Sequence, residues 1–294
     1  MNPWTLTPVS DDMGGIRIMA ALVMLAACGA ASTADPLPIR YQADGLVLAG
    51  AEHGPQLCAG VNLSMPPQCS GLDIAGWDWD MVEHEALRGV RWGDYHVVGT
   101  WDGERLTLTE SPRPAERGEP PADGSDFTSP CPTPAGGWHP VDPVKATDQA
   151  IDAAIDLAEK LPGYAGSWLD QGYLDEIEGY DPRDPMEGYA NDPKRLVLNL
   201  RFTGDPAVHE RAIREVWGGA LCLSPAQHTR AKLHAIQRRM EKEIKGLYSL
   251  STDELAGHVD AGVWVVTPEL RRQVDETYGA GLVVLHGFLK PISP

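Results

Sequence analysis

Asp94-Tyr95-His96-Val97-Val98-Gly99-Thr100-Trp101-Asp102-Gly103-Glu104-Arg105-Leu106-Thr107-Leu108-Thr109 is the stretch on which the fold of this chain turns. Tyr95, Val97 and Trp101 alternate with His96, Val98 and Thr100, the period of two that a half-buried strand requires. Asp102-Gly103 supplies a tight hairpin turn, because glycine tolerates positive φ, and a strand signal resumes over Arg105–Thr109. Upstream, Gly45–Ala49 and Gln56–Leu63 carry strand signals of their own. Short strands joined by Gly-rich turns predict a small β domain over residues 36–110. The form it suggests is a small barrel, an OB-like one being the nearest.

Downstream the pattern changes. Residues 111–144 hold nine prolines with several Gly and Ser, and read as an extended linker. From 145 to 294 helix and strand signals alternate. Thr147 is placed to cap a helix with the stripe Ile151, Ala154, Ile155, Ala158 and Leu161. Strands are expected at Tyr164–Leu169, Arg195–Thr203, Ala220–Leu223, Val259–Val266 and Leu282–Leu285. Asp205-Pro206 starts a helix with Val208, Ala212, Val216 and Trp217 as its apolar stripe. Ser224-Pro225-Ala226-Gln227 reads as a capping box opening a long helix with Leu233, Ile236, Met240, Ile244 and Leu247 on one side. Ser251–Glu254 reads as a second capping box, and Thr267-Pro268 caps a helix carrying Leu270, Val274 and Tyr278. Leu196–Leu223 and Val259–Leu285 share one plan: strand, Thr, Pro, helix, Gly, strand. Two such β-α-β units predict an α+β sandwich, one sheet backed by helices, so the chain as a whole is α+β.

At the other end, Arg17 precedes the apolar run Ile18–Ala27, about half the roughly 20 residues needed to cross a bilayer core. The run closes on Leu25-Ala26-Ala27-Cys28, which resembles the lipobox of bacterial lipoprotein signal peptides. The resemblance implies cleavage before Cys28, acylation of Cys28 and anchorage on the outer face of the cell membrane. Residues 1–27 are then a signal peptide and 28–35 a tether. Asp11 and Asp12 sit awkwardly in such a leader, and a start at Met13 rather than Met1 gives a cleaner one.

Composition narrows the partners. With 42 acidic and 24 basic residues the net charge is −18, which repels polyphosphate and argues against nucleic-acid binding. Besides Cys28 the chain holds Cys58, Cys69, Cys131 and Cys222, an even set that outside the cytoplasm reads as two disulfides. Three pairings are possible. Cys58–Cys69 with Cys131–Cys222 is favoured, since the first closes a short loop around Pro66-Pro67 and the second staples the Pro-rich segment to the C-terminal part; free buried thiols are the alternative.

No catalytic motif stands out. There is no G-x-S-x-G elbow, and His209-Glu210 lacks a second histidine, Ile213 standing in its place. No cofactor and no metal ligand set is read. Asp175, Glu176, Glu178, Asp181, Asp184, Glu187 and Asp192 crowd residues 171–193, where a solvated acidic loop outweighs a Ca²⁺ site. Residues 226–245 are locally basic and read as a solvated helix face or a dock for an acidic partner. Trp77, Trp79, Trp92 and Trp101 crowd the β domain. Core packing is the plain reading, and contact with a ligand through Trp77 and Trp79 the sharper one.

Two further resemblances bear on the whole. Leu161-Pro162-Gly163-Tyr164-Ala165-Gly166-Ser167-Trp168-Leu169-Asp170, with Arg195-Leu196-Val197-Leu198-Asn199-Leu200 and the helix of Leu233 and Ile236-Gln237, resembles the pro-domain of α-lytic and streptogrisin-type proteases over residues 147–250. It implies a fold and a peptide-contacting surface; no protease domain accompanies it in this sequence. His53–Cys58, Pro66–Cys69, Gly76–Asp80 and Gly99–Gly103 together resemble a group of actinobacterial lipoproteins, which adds an address and no chemistry. The expectation is a lipid-anchored extracytoplasmic interaction protein without catalysis, its partner an envelope protein or peptide. The alternatives are a glycan- or peptide-capturing lipoprotein and an envelope hydrolase with a dispersed active site.

Overall fold

The computed structural model describes residues 38–62, 64–116, 126–181 and 190–292, so the leader, the tether and Cys28 lie outside the described residues. The chain is mixed α+β. Its first part is built on β1 (Arg40–Ala49), β2 (Gln56–Leu57), β3 (Leu72–Ala75), β4 (Glu85–Leu87), β5 (Val90–Trp101), β6 (Arg105–Leu108) and β7 (Arg113–Pro114). β1 and β5 are antiparallel over ten residues, from Arg40 opposite Thr100 to Ala49 opposite Arg91. The circuit β1-β2-β3-β6-β5 returns to β1, so five strands close a barrel. β3 and β6 run parallel, and every other neighbour in the circuit is antiparallel.

The alternation read from sequence points Tyr95 and Val97 inward, but His96 and Val98 on the other face are buried as well, so this stretch of β5 is covered on both sides rather than half-buried. Tyr95 and Val97 join Tyr41, Ala43, Val47, Leu57, Leu72, Ile74 and Leu106 in the core. The Asp102-Gly103 turn forms as expected: Asp102 Oδ1 accepts the backbone N–H groups of Glu104 and Arg105 at 2.9 Å each, and Gly103 has φ 108°. The strand expected over Gln56–Leu63 ends at Leu57; Cys58 N still donates to Leu46 O, and past it the chain enters the loop closed by the Cys58–Cys69 disulfide.

A second sheet comprises β8 (Tyr164–Asp170), β9 (Val197–Thr203) and β10 (Ala220–Ala226), with β9 central, β8 antiparallel and β10 parallel to it. Helices α1 (Asp148–Ala158) and α2 (Glu210–Val216) cover one face, enclosing Leu196, Leu198, Leu200, Phe202 and Trp217. Thr147 caps α1 by accepting Ala150 N–H. The helix expected from Asp205-Pro206 begins instead as a 3₁₀ turn over Pro206–His209. Its tighter winding rotates the apolar positions, leaving Val208 exposed, while Ile213 and Trp217 supply the buried contacts.

A third sheet has β11 (Leu247–Asp253), β12 (His258–Val263) and β13 (Val283–Gly287), with β12 central, β11 antiparallel and β13 parallel. Helices α3 (Arg230–Glu243) and α4 (Pro268–Tyr278) pack on one face around Leu233, Met240, Val259, Ala261 and Val274. Two capping boxes read from sequence are corrected here. Ser224 to Ala226 continue β10, laddered to Arg201 through Thr203, so α3 starts at Arg230 with Thr229 as its cap. Ser251 lies inside β11 and Leu247 opens that strand rather than closing the helix. In both places ladder pairing outweighs a local side-chain cap. Thr267 caps α4 as expected.

The chain then returns to the barrel. β14 (Lys290–Pro291) pairs with β1, and Val265 and Leu289 are buried among the barrel core residues, with Trp264 and Phe288 against them.

Candidate functional site

Sheet β8-β9-β10 has a second face, away from α1 and α2. The strand period places Val197, Asn199 and Arg201 there, and register sets Trp168 and Cys222 beside Asn199 and Ser224 beside Arg201. The segment Asp126–Pro132 lies over this face. Three contacts hold it: Trp168 Nε1 donates to Phe127 O at 3.0 Å, Ser129 N donates to Asp170 Oδ2 at 2.7 Å, and Cys131 is bonded to Cys222. Part of the stretch read as a linker is therefore a strap fixed to a sheet.

Between strap and sheet lies a cleft of about 720 Å³, lined among others by Thr128, Trp168, Arg201, Leu223, Ser224 and Leu255. The size suits a small ligand or a short peptide segment. Arg201 is held by backbone carbonyls: one Nη donates to Leu255 O and to Glu254 O, the other to Pro225 O at 3.3 Å. Among the described residues no carboxylate pairs with it. Ser224 is 6% exposed and its Oγ has no hydrogen-bond partner, and the buried Asn199 Oδ1 is likewise unpartnered. Buried polar atoms are nearly always satisfied, so an unpartnered hydroxyl on the wall of a cleft is an acceptor and donor still to be used. An indole face, a fixed guanidinium and a spare hydroxyl together suit a ligand with a flat or apolar body and a carboxylate.

The structure places the residues singled out from sequence as follows. The cysteines pair as Cys58–Cys69 and Cys131–Cys222, the favoured combination. Trp77 and Trp79 pack edge-on to each other and to Tyr95; Trp79 is buried and Trp77 half-buried, and neither lines the cleft. In the acidic insertion Glu176 meets Arg195, whose guanidinium lies over Tyr173; Asp184 and Glu187 are outside the described residues. The basic helix spends part of its charge internally, Arg230 reaching Glu159 and Glu254, and Arg239 reaching Glu243. Burial pushes the Glu254 carboxyl up against the opposing pull of Arg230.

Sequence reasoning quoted Trp168 only as a fold marker, took Ser224 for a helix cap and passed over Arg201. The one available signal was Arg201 itself, the single charge in the strand Val197–Thr203. No protein-family model and no curated protein matches this chain.

Proposed function

We propose that this protein is a lipid-anchored extracytoplasmic binding protein without catalysis, and that the cleft beneath the Asp126–Pro132 strap takes a carboxylate-bearing peptide or protein segment from the envelope. The observation that carries the reading is Arg201: a cation held by three carbonyls and, among the described residues, in no ion pair, although Asp126 lines the same cleft, in a chain of net charge −18. Arg and Trp are the side chains that dominate protein recognition sites, and Trp168 stands beside it. The lipobox ending at Cys28 supports the anchor, and two disulfides suit an oxidising compartment.

The finer fold follows the same footing. Five strands on a Greek-key path around a small closed barrel support an OB-like first part. The orders α1-β8-β9-α2-β10 and α3-β11-β12-α4-β13 support a repeated unit in the second part, in keeping with a pro-domain-like module.

The experiment uses the full chain in its cell of origin with a photo-crosslinking residue at Thr128. Trp168→Ala with Ser224→Ala should reduce the crosslinked envelope species by about ten-fold or more, as loss of an interface anchor does, and a free-carboxylate peptide should compete where its amide does not. Cys28→Ser should move the chain from the membrane to the soluble fraction. Crosslinks indifferent to both the cleft variant and the carboxylate would reject the cleft.

A further inference from the structure

The open face of sheet β11-β12-β13, opposite the face packed on α3 and α4, carries a group of side chains that sequence reading did not connect. His258 and Asp260 are two apart on β12 and so share a face, while Val259, Ala261 and Val263 point into the buried side. Asp253 stands opposite His258 on β11. His286 comes from β13, beside Gly262. Asp260 Oδ1 lies 3.3 Å from His258 Nε2 and 2.7 Å from His286 Nε2. Ligand atoms of Asp253, His258 and Asp260 all lie within 4.8 Å of one another.

We propose that Asp253, His258, Asp260 and His286 form a binding site for a divalent transition-metal ion, zinc fitting best. A zinc ion bound at 2.0–2.2 Å in a tetrahedron spaces its ligand atoms at roughly 3.3–3.6 Å. His258 and Asp260 already stand at that spacing, while His286, which touches Asp260 but lies outside the 4.8 Å group, swings its exposed side chain in to complete the shell. An ordinary histidine–carboxylate pair looks different: His96 and Asp44 meet one to one at 3.0 Å. Here two imidazoles from different strands converge on a single carboxylate oxygen. Among the described residues no Lys or Arg neutralises either aspartate, and Asp253 Oδ1 is steadied by the Ala256 N–H, leaving its second oxygen free to ligate. Such outer contacts orient metal ligands. Three neighbouring strands supply the four groups, so their spacing is set by the sheet ladder. Partial exposure, 23% for His258, 28% for Asp260 and 56% for His286, leaves a path for the ion. Two imidazoles and two carboxylates suit Zn²⁺; Ca²⁺ wants six to eight oxygens and finds too few.

The test is zinc titration of the tag-free, chelator-stripped chain by calorimetry and by competition with a chromophoric chelator. One zinc per chain is expected. His286→Ala, on an exposed side chain, and the near-isosteric Asp260→Asn should each weaken binding by at least about ten-fold, with circular dichroism showing both variants folded. His53→Ala, at an exposed histidine bonded to Gly54 O, should leave binding unchanged. Substoichiometric zinc uptake would overturn the site, as would full affinity in both variants or Ca²⁺ binding in place of zinc.

Discussion

Gly71 leaves no room for a side chain. A Cβ there would stand well inside contact distance of the Leu57 carbonyl, and Gly71 N also donates to Gln56 Oε1 at 3.2 Å. The residue thus lies just ahead of β3, packed directly on the Leu57–Cys58 backbone. Gly71→Ala should lower stability by about 1–3 kcal/mol, the usual cost of overpacking. Gly54→Ala, with nothing within 4 Å of its added carbon, should change it by no more than about 0.5 kcal/mol. Urea denaturation of both variants checks the contrast. At this scale sequence reasoning does best where a residue's chemistry has few outlets. Four cysteines without metal-ligand spacing have little to do but pair, and the loop lengths pointed to the pairing found. It does worst where meaning depends on neighbours distant in sequence. Asp260 and His286 are 26 residues apart and meet only because β12 and β13 are adjacent. Arg201 is defined by carbonyls of residues 225, 254 and 255.

Among the elements, the β5–β6 hairpin is the one whose turn chemistry was legible throughout. Asp102 closes it through its carboxylate, and the Glu104 and Arg105 N–H groups it accepts hold its carboxyl below the ordinary value of 3.8. A depressed carboxyl stabilises the fold at pH above its unfolded value, and that contribution fades as pH falls through the lower folded value. Asp102→Asn should therefore lower Tm at pH 7, and the gap to the parent should close below about pH 4; thermal melts across that range test it. Helix starts were legible when nothing competed, as at Thr147 and Thr267. The Ser224 box failed because its residues belong to β10, which pairs in parallel with β9 from Ala220 to Ala226. Local capping is worth about 1 kcal/mol, less than a ladder together with burial of Ala220, Leu221 and Cys222.

For the whole molecule, the two disulfides divide their labour by reach. Cys58–Cys69 spans 11 residues and Cys131–Cys222 spans 91, which chain-entropy reasoning converts to about 2.8 and about 4.6 kcal/mol. Replacing Cys131 and Cys222 together by Ala should lower the denaturation midpoint more than replacing Cys58 and Cys69. It should also free the strap and weaken the crosslink at Thr128, whereas loss of the shorter bridge should leave that crosslink intact. The α+β class and the strands β1, β5, β6, β8, β9, β10, β12 and β13 were legible from periodicity; β3, β4 and β11 were not, and the one sheet expected behind the helices is two three-stranded sheets. The participation of Val265 and Leu289 in the barrel core was not, because two apolar residues carry no mark of which core they enter.

The pairing of β14 with β1 also has a mechanical side. Tyr41 faces Pro291, Gln42 faces Lys290, and Ile292 N donates to Arg40 O, so the described chain enters and leaves at the same end of one antiparallel pair. Tension between these two points loads the bonds one after another, like a zipper, rather than all at once in shear. A chain held at its leading end and pulled at its trailing end gives way there first, at low force. Leu289 follows out of the core, while the ten-residue ladder between β1 and β5 still holds the barrel shut.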